Sequence, residues 1–100
     1  MEEYKIVLPC ESEEEIELKS VVKSVDGVEF NTGNIKNLDG ASMGEIIGLL
    51  VPLIQLASSL LTLSNSILDR KVTVYGENNK VIRRNIKIRD LKSFLQNLNK

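Results

Sequence analysis

A chain of 100 residues, 42% hydrophobic and 27% charged, is sized for a single domain, 1–100, with a modest core. Its charge density and its lack of long Pro, Ser or Gly tracts exclude a chain that is mainly disordered or mainly linker. With no histidine and one cysteine it lacks the usual general base near neutral pH, the commonest neutral metal ligand and any internal disulfide, and most hydrolase constellations go with them.

The formal net charge of -1 conceals a lopsided distribution. Up to Glu45, 4 Lys stand against 11 Asp and Glu, a net of -7; from Asp69 onward, 9 Lys and Arg stand against 3 acids, a net of +6. Two arrangements follow from that split. Either the halves fold against one another and neutralise each other's field, or copies of the chain meet head to tail, acidic face to basic face.

Residues 4–8 read as a short apolar strand, which Pro9 ends because proline donates no ladder hydrogen bond. Ser12 followed by Glu15 has capping-box spacing, and Leu18, Val21, Val22 and Val25 recur at helical intervals, which predicts a helix over 12–25 stopped by Gly27. Three valines lower helix propensity there, so a strand pair over 16–30 competes with it. Residues 28–30 read as a second strand. The stretch 31–40, with two Gly and four Asn or Asp, reads as a loop.

Ser42 and Glu45 repeat the capping-box spacing and open the predicted dominant helix, which runs to about Arg70. Gly48, Pro52, Gln55, Ser59, Thr62, Ser66 and Asp69 trace one polar stripe along it, leaving a broad apolar surface that needs two neighbours. In a monomer these are the sheet and a short helix; in an oligomer the same helix of another copy serves. Unbroken from Met43 to Asp69 the helix would be about 40 Å long, against a molecular diameter of about 34 Å. A kink is therefore expected near Val51 and Pro52, where the proline ring removes a hydrogen bond and clashes with the carbonyl of Gly48.

Val72 and Val74 then alternate with Thr73 and Tyr75, a turn passes through Gly76, Glu77, Asn78 and Asn79, and Ile82, Ile86 and Ile88 share one face of a returning strand. Leu91, Phe94, Leu95 and Leu98 close the chain with a short amphipathic helix after Asp90. The order β-α-β-α-β-β-α is an α+β fold: a small mixed sheet of about four strands with helices packed on one face.

No set of residues for catalysis emerges. Cys10 follows a proline and has no histidine partner, so it reads as a half-buried thiol. The run Glu11, Glu13, Glu14, Glu15 and Glu17 suits a helix start better than a calcium site. Gly40, Ala41, Ser42, Met43 and Gly44 lead into the predicted helix, but without the Lys and Ser or Thr of a P-loop they read as plain capping. Arg83, Arg84, Lys87, Arg89 and Lys92 form the basic cluster. With Tyr75 the one aromatic on a strand nearby, a solvated or acid-pairing face is favoured over nucleic-acid binding. No metal, cofactor or small-molecule substrate is expected.

Residues 46–68 carry no charge, and as a helix of 23 residues they would span about 34 Å, enough for a bilayer. Seven of them are polar and the strongly apolar part is 46–57, which reads better as a buried core helix.

Met43, Gly44 and Glu45 opening an apolar helix, the basic step at Arg70 and Lys71 into a hairpin strand over 72–75, and a closing leucine-bearing helix carry a resemblance. In this layout the chain resembles the effector-associated constant component family of bacterial conflict systems. The resemblance implies an accessory, non-catalytic partner of immunity or death effectors such as caspase-like or trypsin-like peptidases, with no catalytic residues to carry over.

The expectation is a cytoplasmic, self-associating adaptor. Its contact residues are Ile46, Leu49, Leu50, Leu53, Leu56 and Leu60 on the apolar helix, with Arg83, Arg84 and Lys87 on the basic face. Its partners are other copies of itself, an effector protein, or both. A membrane-anchored protein using 46–68 is the first alternative, and a nucleic-acid-binding accessory using the basic third is the second.

Overall fold

The computed structural model describes residues 3–9, 12–36 and 42–98, with the side chains of 12–15, 32–36 and 42 left out of the description. Five strands and four helices follow in the order β1 (Glu3–Pro9), α1 (Ser12–Lys23), β2 (Val28–Lys36), β3 (Ser42–Leu49), α2 (Leu50–Leu60), α3 (Asn65–Leu68), β4 (Lys71–Tyr75), β5 (Val81–Lys87) and α4 (Ile88–Leu98). The strands form one antiparallel sheet ordered β2-β3-β1-β4-β5. β1 and β2 run parallel with β3 inserted between them, and β3 and β4 run parallel with β1 inserted. Two such split crossovers define the ferredoxin-like β-α-β-β-α-β arrangement, here extended by β5 and α4.

Register decides which side chains share a face. Ile6 lies opposite Ile46 on one side and Val74 on the other, Phe30 opposite Ile46, and Val72 opposite Ile86. Directly opposed residues point the same way. This inner face packs with Leu18 and Val22 of α1, Leu53, Leu56 and Leu60 of α2, and Leu91 and Leu95 of α4 in one buried cluster. α2 lies in the middle of the helix layer, touching both α1 and α4, while α1 also contacts β2 and α4 also contacts β5.

The largest departure from the sequence reading is at 42–49, expected as the opening of a helix and found as β3. Its burial alternates: Gly44, Ile46 and Gly48 are buried, while Met43, Glu45, Ile47 and Leu49 are half-exposed. Two glycines each cost a helix about 1 kcal/mol relative to alanine, and Ile46 and Ile47 are stiff, β-preferring side chains. Gly48 is needed for packing, because a Cβ there would lie 3.0 Å from the carbonyl oxygen of Gly27. The expected cap at Ser42 and Glu45, and with it a helix N-terminus at Gly44, does not form.

The kink near Pro52 is likewise replaced. α2 begins at Leu50 after Leu49, which puts Pro52 in the first turn, where backbone N–H groups have no intrahelical acceptor and a proline loses nothing. The long helix is shortened from both ends. After Leu60 the amides of Leu61, Thr62 and Leu63 donate to Ser58, Ser59 and Leu60 at 3.3, 3.2 and 3.0 Å, a tightening into i→i+3 bonds that ends it. The Thr62 hydroxyl also donates to the Ser59 carbonyl at 2.8 Å, the local competition by which hydroxyl side chains weaken helices. Among the described residues no helix is long and apolar enough to cross a membrane.

Elsewhere the reading and the fold agree more closely. α1 carries Leu18, Val22 and Val25 inward, Val25 just beyond its end, and Gly27 follows with φ +89°, a left-handed conformation that suits glycine. The capping contact expected of Ser12 and Glu15 falls among undescribed side chains, and Cys10 lies outside the described residues. β2 extends to Lys36, through residues expected as loop, and the addition of β3 gives the sheet five strands and not four. Ile82 is exposed, Ile86 is buried, and Ile88 belongs to α4, so the three do not share a strand face.

Candidate interaction surfaces

Three helices on one side leave the other side of the sheet without a described helix. The register writes out that outer face as rows. One row runs Glu29, Ile47, Lys5, Tyr75, Val81; the next runs Asn31, Glu45, Val7, Thr73. Leu49 extends β3 at one end, and Met43 with Pro9 at the other. Lys5, Val7, Met43, Glu45, Ile47, Leu49, Thr73 and Tyr75 are all of intermediate exposure, each sheltered by its neighbours on the pleat.

Lys5 stands at the centre of this face on the central strand. Its ammonium donates to Asn79 Oδ1 at 2.9 Å, lies 3.9 Å from Glu45 Oε1 and sits 5.2 Å from the centroid of the Tyr75 ring. The Lys5 and Glu45 side chains are 25% and 17% exposed. A lysine with its stem on apolar surface normally lifts its head into water. Here three partners hold the head down, so the charge lies along the sheet.

Asn79 reaches Lys5 because of the β4–β5 turn. Asn78 and Asn79 both have φ 58°, and the amide of Lys80 donates to the Glu77 carbonyl at 3.2 Å, the mirror-image turn that hairpins prefer and that asparagine tolerates. The sequence located this turn; it gave no sign that the turn leans over Lys5.

The basic cluster lies at the sheet edge. Arg83, Arg84 and Lys87 are exposed on β5, whose pairing with β4 shifts register twice. Between the pairs Val72–Ile86 and Val74–Arg83, two residues of β5 face one of β4, and Asn85 takes φ 57° there. This bulge explains the failed alternation of the isoleucines. Charged, bulged edge strands resist pairing with other sheets, which gives these arginines a structural role. Arg89 is engaged by Asp69, its Nε 2.8 Å and its Nη2 2.5 Å from Oδ1.

Of the other expected contact residues, Ile46, Leu53, Leu56 and Leu60 are buried in the chain's own core, Leu50 is half-buried and packs against it, and Leu49 reaches the outer face. The company that the apolar helix needs is supplied by α1, α4 and the sheet. Among the described residues no polar or charged side chain is buried, and no group of three His, Cys, Asp or Glu could hold a metal ion.

No family model matches the chain, and neither does any curated protein or solved structure. Of the features that carry the likeness to the effector-associated family, Met43, Gly44 and Glu45 lie in β3, while Arg70 and Lys71 do lead into the strand of a hairpin and α4 closes the described chain.

Proposed function

We propose that this chain is a non-enzymatic protein-interaction module that docks through the helix-free face of its sheet. The observation that supports this most is the make-up of that face: Val7, Met43, Ile47, Leu49 and Tyr75 point outward around a lysine that is already paired. A sheet face left in water is ordinarily polar. Contiguous apolar surface with a polar surround is the usual mark of a docking site.

Two features favour protein over nucleic acid as the partner. RNA-binding sheets stack bases on aromatic side chains, whereas among the outward residues of β1 and its neighbours β3 and β4 the one aromatic, Tyr75, has the Lys5 ammonium 5.2 Å from its ring centroid. The arginines lie on the edge strand β5, Arg83 opposite the inward-facing Val74. The likeness to effector-associated components supports a bacterial immunity or death effector as the partner, with this chain as its accessory in the cytoplasm.

The test is co-expression with the products of the flanking genes, comparing the natural chain with Ile47→Arg. A complex that co-elutes with the natural chain and is lost with a folded Ile47→Arg variant is the expected result. Retention of the complex by Ile47→Arg overturns the docking face, and turnover of a substrate by the isolated chain overturns the non-enzymatic reading.

A further inference from the structure

Resting on that reading of the outer face, we infer that one of its occupants is a second copy of the same chain, packed sheet to sheet about a two-fold axis. The reason is the charge pattern at its centre. In a two-fold interface each patch meets itself, so a patch that carries one cation beside one anion is complementary to its own copy. Lys5 on β1 and Glu45 on β3 are such a pair, on adjacent strands at the middle of the sheet and 3.9 Å apart. The rotation sets Lys5 of one copy against Glu45 of the other, and the reverse, closing a square of four alternating charges.

The same residues explain why burial there is tolerable. Charges entering an interface are costly when unpaired. Lys5 already has Asn79, Glu45 and Tyr75 around it, and both charged side chains are more than two-thirds covered in the single chain. Val7, Ile47, Leu49 and Tyr75 ring the square with side chains able to meet their counterparts at the roughly 10 Å spacing of stacked sheets. Five strands of this length present a footprint of roughly 20 by 23 Å. That is about 460 Å² a side, in the range of weak, reversible encounters, so the dimer is expected to dissociate on dilution.

Light-scattering mass across a concentration series, on the natural chain and on Lys5→Glu and Glu45→Lys, tests this. The natural chain should approach twice the 11.2 kDa of one chain. Each variant alone carries like charges at all four corners and should dissociate with a constant raised roughly tenfold or more. Mixed in equal amounts, the two variants set opposite charges against each other across the interface and should recover a dimer. Circular dichroism confirms that each is folded. A natural chain that stays at one-chain mass up to millimolar concentration overturns the proposal, as does a mixture that fails to recover. Variants that lose the homodimer while a flanking-gene partner still binds leave the docking reading standing, so the two fail separately.

Discussion

Two glycines and two leucines show how one residue's neighbours set what it does. At Gly48 the inner face of β3 passes the carbonyl of Gly27 so closely that a side chain has no room. Gly48→Val should lower the free energy of unfolding in urea by about 1 to 3 kcal/mol, the range for overpacking a filled core. Gly27 faces a second difficulty. Its φ of +89° is strained for alanine, and an added Cβ would lie 3.3 Å from Pro52 Cγ, so the glycine and the proline fit one another across the α1–β2 turn and the start of α2. Leu56 and Leu49 look alike in the sequence, yet Leu56 is fully buried and Leu49 reaches the outer face. Leu56→Ala should cost about 2 to 5 kcal/mol and Leu49→Ala under about 1 kcal/mol, measured by the same denaturation. Only the change of period at Leu50, from alternation to helical spacing, separates the two in the sequence. A reading that carries one helix through both misses it.

Among the elements, those that announce themselves by one consistent period were legible: α1 by its Leu and Val stripe, β4 by its alternating valines, α4 by leucines at helical spacing. β3 was not, because its buried positions are Gly44, Ile46 and Gly48, and a pattern search that counts apolar side chains does not see a glycine as an inward residue. β5 was read as a returning strand, but with the wrong side chains on one face. Its bulge at Asn85 breaks the period of two that identifies a strand. Asn85→Val, which forces a β-branched residue into φ 57°, should destabilise by about 1 to 2 kcal/mol. Asn85→Gly should leave stability within a few tenths of a kcal/mol. Thermal unfolding of the two variants side by side checks the bulge without relying on the wider surface.

Across the whole molecule, the charge asymmetry of the sequence is not resolved by the two ion pairs described. Lys5–Glu45 lies within the acidic part of the chain and Arg89–Asp69 within the basic part. Arg70, from the basic part, donates to the backbone carbonyl of Pro9 at 3.2 Å. The Arg89 and Asp69 side chains are 38% and 54% exposed, and exposed pairs contribute little. Asp69→Asn should therefore change the unfolding free energy by less than about 1 kcal/mol. Fold class and the one-sided helix layer were legible from composition and order, but the docking surface was not. It is written in the outward residues of strands that pair across up to 70 positions of sequence, such as Lys5 and Tyr75, and only register brings those residues together.

The bulge also governs which changes of length the chain can absorb. Removing Asn85 by itself would leave a single residue of β5 opposite Thr73, so the pairs Val72–Ile86 and Val74–Arg83 would persist in a regular ladder and Ile86 would stay inward. Deleting Arg84 as well would make Arg83 and Ile86 adjacent, so they could no longer share a face and one flank of the strand would slip by a position. A library of deletions around Asn85 should therefore tolerate the loss of one residue and fail at the loss of two, the reverse of what an unbulged strand would show.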